Sequence, residues 1–533
     1  MENETSTKAS LETLPLDIFT EHLLAHLSCS SLLNLGASSK SLHTTLSSPS
    51  IWTAFLRHKR YVDITQQKRL AVLPLRVRAA VGFRAEQGWE THTFKTTSLF
   101  RQRWQRTCLP RLEISSEFIA VGVGADLQIH WIRDVRVFEK TQQGGGLQWM
   151  VYSLGQHGSE DVMDIVPVPG CPTEFIIAQA HGMIRQLEVS KVDSTFVVKR
   201  VFQHPRAIIR SLAATERYLV ALGSTASHVH HITFYPLNGR IDDEDQVCPL
   251  HTESSPIEEQ WIPNDVRNES VVHPDFTTSH PTRPWQALFL SPTLLALGST
   301  SPEALSIYNF DPQSEHPLTK SRQLYSNPAK LQGIHDVPQP YKTSIYAIHQ
   351  YSPHLLLTGW YHGPANLHDL RLPGSYPVIS FNDPMDEGAA YSVTSDGGHR
   401  ILVGGDRHGL LKVFDVRSAQ HGYSIYLGRE RSPVYAVKAE HSRIFAATEG
   451  TVWECDMGFK HKPRTYEDGE WWRGSGGGWR ARWSSRRALG AFSRPMEEGG
   501  NGQVRLHYGR QTLFREDGTV IGKSSSTSVA SQW

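Results

Sequence analysis

Hydrophobic and polar positions alternate along this chain with two different rhythms. Leu16, Phe19, Leu23 and Leu27 recur at spacings of three and four, and Ile18 and Leu24 widen the stripe, which predicts an amphipathic helix. Pro15 suits the first turn of such a helix, where a missing N–H costs nothing, and Asp17 favours the same end. Ser28 or Ser30 can cap a second helix carrying Leu32, Leu33 and Leu35. A third helix carries Leu42 and Leu46, and Ser48-Pro49 ends it. From about Thr53 to Cys108 the helical spacing continues in patches, through Leu73, Val77 and Val81 and again through Leu99, Phe100 and Trp104.

After Leu109-Pro110 the rhythm changes to short β-branched and aromatic runs punctuated by Gly, Asp and Ser, the pattern of an all-β region. It then repeats: RYLVALGSTASHVHHITFYPL, TLLALGSTSPEALSIYNF, HLLLTGWYHGPANLHDLRLP and HRILVGGDRHGLLKVFDVRS each read strand, tight turn, strand. SRIFAATEGTVWECDM is a fifth copy, an apolar run precedes each of the five, and an earlier VMDIVPV has the same shape; the second residue of each run supplies a marker: Met163, Arg210, Gln286, Tyr346, Tyr391 and Tyr435. Where no insertion intervenes the markers recur at mid-forties spacing, which with about four strands per unit predicts a β-propeller. RLEISSEFIAVGVGADLQIHWIRD precedes the first marker and brings the expected ring to seven blades.

These patterns divide the chain into an N-terminal all-α unit over residues 11–60, a helical connector over 61–110, an all-β propeller over 111–515 and a flexible tail over 516–533. Residues 236–284, with their acidic run Asp242-Asp243-Glu244-Asp245, and the Pro- and Gln-rich residues 311–341 are expected to be inserted loops. VRLHYGRQTLF, from Val504, is expected to complete the last blade.

Composition narrows the chemistry. Lys and Arg total 54 against 53 Asp and Glu, so a net charge of +1 gives no general attraction to nucleic acid or an anionic membrane. The five scattered cysteines have neither zinc-site spacing nor the density of a disulfide scaffold. The polar start MENETSTKAS lacks a secretory plan, and the expected location is the cytoplasm or nucleus. GTVIGKS is one residue short of a phosphate loop, and His22 with His26 lack a third ligand, so no cofactor, no metal and no catalytic residue are expected. The pairs His181-Gly182, His362-Gly363 and His408-Gly409 read as structural turns.

The segment from Leu14 to Trp52, with its opening Leu-Pro, three short apolar-periodic helices and closing Trp, resembles an F-box. The resemblance implies docking on the Skp adaptor of a cullin–RING ubiquitin ligase through Leu14, Pro15, Ile18, Leu27, Leu32, Leu33 and Trp52. A segment this short leaves apolar surface to be covered by something else. The bland alternative is a helical cap packed on the rest of the chain. The repeats in turn resemble diverged WD repeats, with Asp369-Leu370-Arg371 and Asp415-Val416-Arg417 as Asp-x-Arg endings.

Together the two resemblances imply an F-box/WD-repeat protein, the non-catalytic substrate receptor of an SCF-type ligase. In such receptors Arg and Tyr side chains at the ring entrance hold the target, and the matching positions are Arg210, Tyr346, Tyr391 and Tyr435. Two further positions lie after the second strand, Tyr361 and Arg407. A rival reading recruits the ring through Arg371 and Arg417 to the other cullin adaptor, a large damaged-DNA-binding propeller protein. A propeller hydrolase would instead need convergent carboxylates or metal ligands at the entrance.

Overall fold

A computed structural model describes residues 16–58, 75–90, 93–99, 109–115, 117–131, 149–155, 160–190, 195–204, 207–237, 270–326, 343–383, 388–427, 432–440, 442–457, 478–480, 503–507, 510–514 and 520–523. The expected adaptor contacts Leu14 and Pro15 lie outside these residues. No helix among the described residues is long and apolar enough to cross a membrane.

The N-terminal helices follow the leucine pattern. Helix α1 (Leu16–Ile18) runs into a π-helical turn, Phe19–Leu23, and is followed by α2 (Cys29–Ser38) and α3 (Lys40–Leu46). Ser28 caps α2 by accepting the Ser31 N–H at 3.0 Å, and Ser39 accepts the Leu42 N–H in the same way at the start of α3. A fourth helix, α4 (Pro49–His58), was not expected: Pro49 opens it instead of closing the third, as the missing N–H of proline permits. Trp52 therefore lies within a helix, where its Nε1–H donates to the Leu46 carbonyl at 2.7 Å and its ring meets Phe55 edge-on. Phe19, Leu24, Leu32, Ile51, Phe55 and Leu56 close the core of this bundle.

Helix α5 (Leu75–Glu90) joins the bundle to the β region. Leu75, Ala79 and Phe83 pack into the bundle core, while Trp89, one and a half turns further on, enters a core shared with Phe94, Leu402, Val413 and Ile444. The Arg400 guanidinium forks onto the Glu86 carboxylate at 2.7 and 3.0 Å and lies over the Trp89 ring at 4.8 Å. Apolar anchors at both ends and a part-buried, two-pronged ion pair hold α5 as a strut.

Among the described residues the β region forms six mostly antiparallel sheets, and the ten-stranded one joins two units through the pairing of Thr300 and Ser301 with Ser344 and Thr343, so that seven units of at least four strands result. Their first strands are Arg111–Ile114, Val162–Pro167, Ile208–Ala214, Pro284–Ser291, Thr343–Ser352, Ala390–Ser395 and Ala436–Glu440, which define sheets 1 to 7. Each first strand packs beside the next, and that of sheet 7 packs beside that of sheet 1. The order is therefore cyclic and closed, an arrangement consistent with a seven-bladed β-propeller, which leaves few open strand edges.

Neighbouring sheets are latched through the residues beside these inner strands. Asp164 Oδ2 accepts the Leu212 N–H at 2.7 Å, Gln286 Oε1 accepts the Ile348 N–H at 2.6 Å, and Ser392 Oγ donates to the Val434 carbonyl at 3.0 Å. Lys438 pairs with Glu113 at 2.5 Å where sheet 7 meets sheet 1. Close approach also needs missing side chains: a Cβ at Gly404 would strike Ser392 Oγ and the Val434 carbonyl, and one at Gly298 would strike Ile345.

Several boundaries differ from the sequence expectation. The fourth strand of sheet 7 is Thr93–Ser98, from the connector, which pairs antiparallel with Val452–Asp456. The ring thus starts before residue 111, and the closing strand comes from the N-terminal side. VRLHYGRQTLF supplies no part of sheet 7; Gln503–His507 adds a fifth strand to sheet 6 and Arg510–Phe514 one to sheet 5. Val520–Lys523, placed in the tail by its sequence, pairs with Arg510–Phe514. The loop expected over 236–284 contains Ser270–Val272, a parallel fifth strand of sheet 2, and Phe276–His280, the fourth strand of sheet 3. The shorter loop over 311–341 contains Leu318–Leu324, the fourth strand of sheet 4.

Candidate functional site

The sites expected from the sequence fall at two places, the helical bundle and one end of the ring. At the bundle, Ile18 is exposed (40 %), and Leu27 and Leu33 are half-buried, so each retains apolar surface. Leu32 and Trp52 are interior (0 and 4 % exposed). Their expected place on a docking surface is corrected accordingly: both are held in the bundle's own core and offer almost no surface.

At the ring, the starts of the first strands and the turns joining second to third strands share one end, as antiparallel topology requires. Thr300 and Ser301 of one such turn pair with Ser344 and Thr343 at the start of the next sheet. The marker residues lie here, and in five successive sheets one residue sits where the ladder slips by one. Met163, Arg210, Trp285, Tyr346 and Tyr391 are the extra residues between Val162 and Asp164, Ile209 and Ser211, Pro284 and Gln286, Ile345 and Ala347, and Ala390 and Ser392. A β-bulge re-aims the side chain that it carries, so repeating it in successive sheets gathers these side chains at the mouth. Tyr435 occupies the same place just ahead of sheet 7's first strand.

One marker is corrected. In sheet 4 the bulged residue is Trp285, and Gln286 is the next residue, whose amide makes the inter-sheet latch. Pro284 is the reason: a proline at the strand start hides the first residue of the run, which moved the count by one.

The rings form a continuous arc. Trp285 meets Tyr346 edge-on at 5.3 Å, Tyr346 stacks on Tyr391 at 5.1 Å, and Tyr391 meets Tyr435 edge-on at 5.7 Å. Tyr361, 53 % exposed, stands edge-on to Tyr346 at 5.8 Å. Burial raises the phenols of Tyr346, Tyr391 and Tyr435 above the usual range, and nearby Glu449 adds to the effect at Tyr435, so all three keep their hydroxyl protons. Tyr435 donates to Glu449 Oε1 at 3.2 Å.

The other side of the mouth is cationic. Arg283 lies over Trp285 at 4.3 Å and Arg210 approaches the same ring at 5.6 Å. Burial, followed by the charges of Arg283 and Arg111, pulls the Arg210 guanidinium down to about 10, which still leaves it charged at neutral pH. Arg210 Nε is enclosed without a hydrogen-bond partner. Beside these residues opens a cleft of about 650 Å³ lined by His230, Arg283, Trp285, Thr300, Pro302 and Ser344. Trp285 is fixed there by its Nε1–H, which donates to Thr300 Oγ1 at 2.5 Å.

The second expected position also shifts. Register equates Gly298, Gly359 and Gly404, each facing the residue that follows a bulge, so two residues further on lie Thr300, Tyr361 and Asp406. Arg407 is therefore displaced by one from the equivalent of Tyr361; the Gly404-Gly405 pair made either glycine a candidate in the sequence. Its side chain is 70 % exposed and 3.5 Å from Asp406. In sheet 7 the equivalent position is Glu449, counted from Ala447 opposite Ala436.

Arg210, Tyr346, Tyr361, Tyr391 and Tyr435 thus share one mouth with Trp285, Arg283, Asp406 and Glu449, which the sequence pattern does not single out. The same end carries the exposed side chains of Leu109, Ile208 and Val229. Val151, Val197 and Val271 are exposed elsewhere on the ring, so apolar exposure is shared between the mouth and the outer strands.

The remaining motifs are structural. Gly182, Gly363 and Gly409 have φ of 99, 110 and 58°, which suits glycine in tight turns. His362 is held between Thr343 Oγ1 at 2.9 Å and Ser326 Oγ at 2.7 Å. Arg371 and Arg417 fold back on their own Asp369 and Asp415 as two-pronged pairs, with shortest contacts of 2.6 and 2.8 Å. No group of three or more His, Cys, Asp or Glu able to hold a metal occurs among the described residues.

No family model matches this sequence, and neither does any curated protein. Among solved structures, Chaetomium thermophilum Sqt1 bound to the N-terminus of ribosomal protein L10 is similar over 65 % of this chain and 83 % of that one. The identity is 11 % and the TM-score 0.43.

Proposed function

We propose that this protein is a non-catalytic substrate receptor of an SCF-type ubiquitin ligase, acting in the cytoplasm or nucleus. The N-terminal bundle docks the Skp adaptor, and the ring mouth holds a target protein. The observation that carries the second half is the mouth itself, where successive bulges gather an aromatic arc and unpaired arginine charge beside exposed apolar residues. The F-box pattern from Leu14 to Trp52 supports the first half, together with the exposure of Ile18. The receptor adds no chemistry of its own. It contributes proximity, turning an encounter between target and ubiquitin-charged enzyme into an effectively intramolecular event. The α5 strut suits this role, because a fixed separation between adaptor and target keeps effective concentration from being diluted by a floppy linker.

Ile18→Lys puts a charge on the exposed helix face while leaving the bundle core intact. Capture of the purified Skp adaptor is expected to fall at least tenfold with an unchanged melting temperature. Undiminished capture by Ile18→Lys, in a variant that folds normally, contradicts the docking surface.

A further inference from the structure

We propose that the ring mouth reads an extended segment of its partner in which an anionic group lies a few residues from a lysine or arginine. The anion rests against Arg210 and Arg283, and the cation lies beside Tyr391 and Tyr435, between Asp406 and Glu449. The proposal rests on the mouth being the target-binding face, and it adds which chemistry that face selects.

Charge is distributed unevenly around the mouth. Arg210, at the bulge of sheet 3, and Arg283, two residues before the bulge of sheet 4, both lie near the Trp285 ring, with no carboxylate partner for either among the ion pairs of the described residues. Mutual repulsion with Arg111 is part of what lowers Arg210, so an anion arriving there relieves an existing electrostatic cost. A guanidinium held over an aromatic ring without a carboxylate partner keeps N–H donors for a two-pronged contact with carboxylate or phosphate.

Sheets 6 and 7 carry the opposite sign. Asp406 and Glu449 occupy the equivalent turn position in each, next to Tyr391 and Tyr435. Asp406 Oδ1 is enclosed without a hydrogen-bond partner, and the Arg407 contact to its other oxygen is long and solvent-exposed, hence weak. Tyr391, stacked on Tyr346 and edge-on to Tyr435, shares with Tyr435 a half-buried aromatic wall flanked by two carboxylates, which favours a cationic side chain chiefly by direct charge, with the phenol surface left uncovered adding cation–π attraction. The same place rejects an acidic one.

The two sectors are joined by the arc, whose ring-to-ring steps from Trp285 to Tyr435 are 5.3, 5.1 and 5.7 Å. An extended chain advances about 3.3 Å per residue, so the charges sit at most about five residues apart. Tyr346, stacked between the sectors and edge-on to exposed Tyr361, offers apolar surface to the residues between them.

The test selects a library of random peptides of about twelve residues, displayed on phage, against the full-length protein. Enrichment is expected for peptides pairing Asp or Glu with Lys or Arg two to five positions away. Synthetic versions of the best binder, with either charged residue replaced by Ala, are expected to bind about tenfold or more weakly. Arg210→Gln with Arg283→Gln should abolish the penalty for losing the acid alone, and Asp406→Asn with Glu449→Gln the penalty for losing the base alone. Replacing the acid by phosphoserine separates the two anion sources: a gain marks a phosphate reader and a loss a carboxylate reader, and both retain the dipolar pattern. Selected peptides that bind at the mouth but carry only acids, or only apolar residues, overturn the charge reading and leave the target face standing. Selected peptides whose binding ignores all four mouth substitutions overturn both.

Discussion

Arg400→Ala is expected to destabilise the protein by about 2–3 kcal/mol, because it removes two charge-assisted hydrogen bonds of a part-buried ion pair and leaves the Glu86 carboxylate with only His399 as a partner among the described residues, at 3.7 Å. The Arg400 side chain is only 9 % exposed, and its two terminal nitrogens hold both oxygens of Glu86, from the far end of α5. Its Nη1 also reaches Asp396 at 3.2 Å. Truncation leaves the Glu86 and Asp396 carboxylates facing each other across the α5–sheet 6 contact and uncovers the Trp89 ring. Asp396 keeps the backbone N–H groups of Gly398 and Arg400, so Glu86 carries most of the cost. Glu86→Gln should cost less, since an amide oxygen still accepts from the guanidinium. Urea denaturation with hydrogen exchange over residues 75–90 checks both, and an unprotected helix in Arg400→Ala with a protected ring is the expected pattern.

Trp52→Ala is expected to cost about 3–5 kcal/mol and to act on the bundle instead of the ring. The substitution empties the space beside Phe55 and leaves the Leu46 carbonyl without the indole N–H that it accepts at 2.7 Å. Adaptor capture should then fail together with helical circular dichroism, whereas in Ile18→Lys capture fails alone. The contrast separates a residue that builds the docking unit from one that touches the partner.

The ring was legible because its unit repeats. A strand–turn–strand pattern ending in Gly recurs often enough that local ambiguity in one copy is settled by the others, and the markers Arg210, Tyr346, Tyr391 and Tyr435 lie at one mouth as expected. What the sequence hid were pairings between distant segments. Thr93–Ser98 is a short polar run with a single buried aromatic, Phe94, and becomes a strand only because the edge at Val452–Asp456 needs covering. The same holds for Gln503–His507 and Arg510–Phe514, which pair with sheets 6 and 5 instead of the last sheet. Off-by-one readings at Gln286 and Arg407 arose where Pro284 and the Gly404-Gly405 pair blurred the count, and register alone resolved them. In the bundle, the leucine pattern located the helices but could not divide its side chains between core and surface. Leu32 and Trp52 turned inward and Ile18 outward because α4 and α5 cover one side of the bundle.

The measurement that bears most directly on the receptor reading is the mass of the complex formed when the purified full-length protein is mixed with purified Skp adaptor, read by size-exclusion chromatography with light scattering. The account predicts a stable one-to-one complex that survives saturation of the ring mouth with its selected peptide. Separate elution of the two proteins at micromolar concentration, with the bundle folded, would contradict it.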